Sequence, residues 1–178
     1  KEYRRQRQMC IRDSNILESN DIPYVLGVSP MQLLLKGELD DHVRFLNLHV
    51  RRGVVCMHGF DHRTNAGTDD VDPKIWEIGG EFAKYSPREL QDQWSEGDAI
   101  LRRIDRYTTD HFIPPLNALT QDMVTTLARN GVKYIHSFDV ALRQRPQGSV
   151  SHPNIGGNFG GWIEDYKLPK GVLFVVSE

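Results

Sequence analysis

Val54-Val55-Cys56-Met57-His58-Gly59-Phe60-Asp61-His62 is the stretch on which both fold and function turn. Its first four residues form a short apolar run rich in β-branched side chains, the pattern of a buried strand. The run ends directly at His58, and Gly59 lets the backbone leave the strand in a tight turn. His58 and His62 are four residues apart, so a helical turn would bring both rings to one point. Neutral imidazole nitrogens bind zinc at about 2.0–2.1 Å, and Asp61 adds a carboxylate nearby. Two loop histidines bonded to the surrounding backbone would show the same spacing. The placement, at a strand end before a long polar loop, favours the metal.

Outward from this stretch, element types alternate. Ile16–Asn20 reads as the tail of a helix and Ile22–Val28 as a strand bounded by Pro30. Leu39, Val43, Leu46 and Val50 recur at helical spacing, with Asp40 as cap and Gly53 placed to end the helix. Thr64–Tyr85 is polar and Gly-rich and reads as a long loop, a length more often functional than idle. Ser86-Pro87-Arg88-Glu89 is a capping box with proline at the first helical position. Leu90, Trp94, Leu101 and Ile104 give the helix it opens an apolar stripe. A further helix runs from about Thr120 to Asn130 and stops at Gly131. Val132–Ile135 reads as a strand, Ser149–Gly161 as a Gly-rich loop, and Gly171–Ser177 as a buried strand. This order predicts an α/β fold with parallel strands and crossover helices, in an open sheet or a barrel. Val25, Leu26, Val55, Tyr134 and Val175 are expected on neighbouring parallel strands, with the Ser86 and Thr120 helices outside. In either architecture ligands gather at the carboxyl ends of strands.

Other polar residues carry weaker signals. In His111-Phe112-Ile113-Pro114-Pro115-Leu116-Asn117 the proline pair fixes an extended backbone, a rigid wall beside which Asn117 offers a hydrogen-bonding group. An ordinary connection after the Ser86 helix explains the same residues. His136 and Asp139 follow a strand and read as catalytic, supporting or simply capping groups. Trp162, Glu164 and Asp165 could line a sugar site or surround a buried tryptophan. His42 and His49 read as surface or flanking residues of a helix, and His152 is uninformative.

With 178 residues, 39% hydrophobic and 26% charged, and a net charge of −2, the chain is an ordinary globular one with length for a single core. It has no basic footprint for nucleic acid and no apolar run of the ~18 residues a membrane span needs. Cys10 and Cys56 read as free thiols. Lys1–Ser14 has the charge of a secretory leader without its apolar stretch and follows neither structural period. Met9–Ser14 (MCIRDS) resembles translated sequencing adapter, so residues 1–14 are expected to be a non-native or disordered tail before a domain spanning 15–178.

Taken in order, IPYVLGVSP, VVCMHGFDHR, GGEFAKYSPREL and FIPPLNALTQDMVTTLARNGVKYI resemble the polysaccharide deacetylase superfamily, carbohydrate esterase family 4, in a variant with Gly after the first metal histidine. The resemblance covers Asn15 to Ile135. It implies a distorted (β/α) barrel, here incomplete at both ends. It also implies removal of acetyl groups from N-acetylated or O-acetylated sugars, with a divalent metal, zinc, held by His58 and His62. Pro114, Pro115 and Asn117 match the segment that lines the substrate. The family's aspartate pair would precede Asn15 and its late acid histidine would follow Glu178, so no catalytic residue is assigned and the chain as it stands is expected to be inactive. Ile113 stands where studied members carry Arg, and Gly59 where they carry Ser or Thr. These departures leave two alternatives: an inactive carbohydrate-binding pseudoenzyme, or a glycoside-processing hydrolase on a related barrel.

Overall fold

The structure, a computed structural model, describes residues 16–34, 39–61, 81–82, 85–115, 119–138 and 169–177. Cys10 and the rest of the tail, His62, Asn117, Asp139, His152, Trp162, Glu164 and Asp165 lie outside them.

Five strands form one sheet: β1 (Val25–Val28), β2 (Val54–Met57), β3 (Tyr107–Phe112), β4 (Tyr134–Phe138) and β5 (Leu173–Ser177). Their order in the sheet is their order in the chain, and every neighbouring pair is parallel. A doubly wound sheet reverses its strand order at a switch point. No reversal occurs among the described strands, so the sheet is wound in one direction, as the wall of a (β/α) barrel is. The expected parallel strands and α/β class are therefore present.

Helical residues 16–19 precede β1, and four further helices are described: α1 (Pro30–Leu34), α2 (Leu39–His49), α3 (Pro87–Leu101) and α4 (Gln121–Arg129). The sequence signals of the last two are all in place. Ser86 caps α3 in a complete capping box with Glu89, and Pro87 opens the helix. The Thr120 side chain accepts from Met123 N to start α4, and Gly131, at φ +86°, takes the left-handed turn that ends it.

A single core lies between the helices and one face of the sheet. Val55 and Met57 of β2, Phe112 of β3 and Ile135 of β4 meet Leu90, Trp94 and Leu101 of α3 and Val124 and Leu127 of α4 in one buried cluster. Because side chains alternate along a strand, Gly27, Cys56, His111, Tyr134 and His136 belong to the opposite face.

Four expectations are corrected. Tyr107–Phe112 is a strand, not an ordinary connection. Its polar side chains hid it, since only Phe112 of its six residues is buried. Pro30 does not merely bound β1 but begins α1, where its missing N–H costs nothing. His42 is no surface residue: it sits at 6% exposure on the buried side of α2 with Val43 and Leu46. In addition, Asp40 lies within the first turn of α2 rather than before it.

Candidate functional site

Met57 ends β2, and the next four residues are held backbone atom by backbone atom. His58 N donates to Val28 O at 3.0 Å, and Ser29 Oγ donates to His58 O. Phe60 O accepts from Met31 N at 2.9 Å, and Asp61 O accepts from Gln32 Nε2 at 3.0 Å. Phe60 N and Asp61 N both donate to Glu81 Oε1, at 2.7 and 3.2 Å. Backbone polar groups withdrawn from water must find partners, and six of the eight N–H and C=O groups of residues 58–61 do so in these contacts.

Glu81 is 1% exposed. A buried carboxylate is costly unless its oxygens are bonded, and here backbone N–H groups bond it. Gly59 sits at φ +63°, and a Cβ there would come within 2.3 Å of Pro115 Cγ and 2.4 Å of Glu81 Oε2. The turn is thus wedged between Pro115 and Glu81, with no room for a side chain at residue 59.

The orientation of His58 is set by β3. Its Nδ1 lies 2.9 Å from Ile113 O. A carbonyl oxygen only accepts, so Nδ1 holds the ring proton and Nε2 carries the lone pair. Metal-ligating histidines are commonly fixed in this way, by donating the other ring N–H to a carbonyl or carboxylate. A Cβ on Gly27 would lie 3.0 Å from both His58 Cβ and Ile113 Cδ1, which places the two side chains together on the face of the sheet opposite the core. His58 therefore fits a role as one imidazole ligand of a divalent metal.

The remaining expected site residues divide. Pro114 and Pro115 are buried at the carboxyl end of β3, Pro115 against the Gly59 turn. His62, the expected second ligand, and Asn117 lie outside the described residues. Among the described residues, no group of three or more His, Cys, Asp or Glu side chains is placed to hold a metal. Cys56 is a buried free thiol whose pKa burial pushes up to about 12, which makes it a poor nucleophile or ligand at neutral pH.

Two features were missed from sequence. Glu81 stands in the polar stretch 64–85, where a lone acidic residue gives no signal that it is buried. The second is a contact between histidines on neighbouring strands: His111 Nδ1 lies 2.8 Å from His136 Nε2. Reading 107–112 as a strand would have put both rings on one face.

Fold and site together define a parallel α/β protein with histidines at and near the carboxyl ends of adjacent strands. No protein-family model matches the chain, and no curated protein matches it. Among solved structures, the crystal structure of a mutant of a CE4 family pseudoenzyme is similar over 70% of this chain and 37% of that one, at 16% identity and a TM-score of 0.49. The chain thus spans little more than a third of that structure, and a likeness at this level fixes neither family nor activity. No helix among the described residues is long and apolar enough to cross a membrane.

Proposed function

We propose that this chain carries part of the metal site of a hydrolase that removes acetyl groups from N-acetylated or O-acetylated sugars, on a (β/α) barrel of the polysaccharide deacetylase type. One observation carries the reading: His58, at the carboxyl end of β2, is locked with its Nδ1 proton on Ile113 O, the tautomer and second bond that metal-ligating histidines use. The sequence resemblance supplies His62 as the second ligand, zinc as the ion and a carbohydrate as the substrate. When bound, such an ion polarises the acetyl carbonyl and lowers the pKa of a bound water. The protein's own share is to hold His58 rigidly, which the backbone bonds of residues 58–61 and the carboxylate of Glu81 support. Pro114 and Pro115 would line the substrate side, with Asn117 beyond them.

A second reading is a carbohydrate-binding pseudoenzyme. It draws on Ile113, an apolar side chain on the same face as His58, where the family that the sequence resembles carries Arg. Acetate release from N-acetylglucosamine oligomers by the protein with zinc separates the two. Release that disappears in His58→Ala supports the hydrolase. Oligomer binding without any release supports the pseudoenzyme.

A further inference from the structure

His111 of β3 and His136 of β4 meet across the seam between their strands, on the face of the sheet away from the core. His111 Nδ1 lies 2.8 Å from His136 Nε2. The ring centroids are 5.1 Å apart and the ring planes 26° from parallel. The centroid separation exceeds the nitrogen separation by one ring width, so the rings meet edge to edge with the two nitrogens facing. Each lone pair is aimed at the other nitrogen rather than at a common third point. Among the described residues no third ligand completes a metal group there. The pair is a proton bridge and not a chelate.

One proton must lie between the facing nitrogens, because two lone pairs or two N–H groups would repel. A neutral pair meets that need and leaves a lone pair on one outer nitrogen. The first proton taken up goes to that lone pair, and the bridge persists as a charge-assisted bond. The second finds only the bridging lone pair. It sets N–H against N–H between two cations, and the bond is lost. The two protons are therefore taken up in unequal steps that belong to the pair.

We propose that this bond is a pH-operated clasp on the β3–β4 seam, closed while one bridging proton is shared and opened when both rings are fully protonated. The proposal is independent of the hydrolase reading. β3 and β4 are in register over two residue pairs, His111–Tyr134 and Phe112–Ile135, whereas β4 and β5 are in register over five. At the amino-terminal side of the seam Lys133 N donates to Asp110 O, and the two side chains form an ion pair. Towards the carboxyl end the side-chain link is the histidine bond. It starts two residues before Ile113, whose carbonyl orients His58.

The surroundings leave the outcome to the pair's own protons. Burial holds both imidazoles below their ordinary pKa, His136 further through the neighbouring His111. Asp110 and Lys133 act on His111 in opposite directions and bond each other at 2.9 Å. Tyr134 of β4 lies against the His111 ring. On β2, Cys56 is a neutral thiol, pushed up to about 12 by burial, and His58 reaches β3 through Ile113 O. β5 contains no titratable residue. A histidine held below its unfolded-state value binds fewer protons folded than unfolded. The clasp's contribution is thus fully present above the ordinary histidine range and is lost as pH falls through it towards the lower folded values.

Imidazole 15N spectra of the chain across pH test the pairing. In His111→Asn the amide reaches as far as Nδ1 and either donates or accepts, so the contact with His136 stays while the second cation is removed. His136 is expected to titrate below the ordinary histidine value in the unmodified chain and to move up in His111→Asn. An unchanged His136 titration would overturn the pairing. A double-mutant cycle of His111→Ala and His136→Ala, read by urea unfolding, tests the clasp. At neutral pH the two positions should be coupled by about twofold to tenfold in the folding constant, as one hydrogen bond is. By about pH 5 that coupling should be lost. Equal coupling at both pH values, or none at neutral pH, would overturn the proposal. Should the alanine variants not fold, His111→Asn decides alone. Its urea midpoint should fall less between the same two pH values than that of the unmodified chain, and an equal fall would overturn the clasp.

Discussion

Gly59 and Glu81 show how single residues make the end of β2 rigid. A side chain at residue 59 must adopt φ +63° and displace Pro115 or Glu81. Gly59→Ala is therefore expected to destabilise the chain by about 1–3 kcal/mol, the range of strained left-handed backbone, read as a lower urea midpoint. Glu81→Ala leaves the N–H groups of Phe60 and Asp61 without their buried acceptor. Each such loss costs about 1–3 kcal/mol, so this variant should fall at least as far. A midpoint unchanged by Glu81→Ala would mean that the carboxylate does not brace the turn. Of these residues His58, Gly59, Asp61 and Pro115 are singled out by the sequence, and Glu81 is not. Their spacing and strand-end position are local patterns, whereas Glu81 meets the turn from 20 residues away in the chain and no local pattern announces it.

At the scale of elements, legibility followed apolar periodicity and capping chemistry. The helices α3 and α4 carry both, and they form where Ser86, Pro87, Thr120 and Gly131 predict. Strand β3 carries neither. It takes five steps along the chain, from Tyr107 to Phe112, where β2 takes two from Val55 to Met57. That irregularity returns Tyr107 and Phe112 to the same side despite their odd separation, and Tyr107 bonds Asp98 of α3 through its hydroxyl. No period of two survives in the sequence of such a strand. The capping box offers a direct check: Ser86→Ala should cost about 1 kcal/mol in urea unfolding at neutral pH. The bonds from Ser86 hold the Glu89 carboxyl below its ordinary pKa. A depressed carboxyl stabilises the fold above its unfolded-state pKa and loses that contribution as pH falls through the folded value. The penalty of Ser86→Ala should therefore shrink only below the ordinary carboxylate range. A penalty that stays constant into strong acid would contradict the capping role of Glu89.

Among the described residues, one face of the sheet carries the core and the other carries His58, His111 and His136. Trp94 and Phe112, 3% and 0% exposed, join α3 to β3 at the centre of the core. Phe112→Ala should cost about 3–5 kcal/mol, with fluorescence and circular dichroism following one transition. Two separate transitions would mean that the helices and sheet do not share a core. On the face away from the core His58, His111 and His136 stand around Ile113, and His58 is the group on which the functional account depends. Zinc titration calorimetry on this chain tests that dependence most directly. The account predicts weak binding, since only two ligands are assigned where catalytic zinc usually has three, and its loss in both His58→Ala and His62→Ala. Zinc binding of unchanged strength in His58→Ala would contradict it.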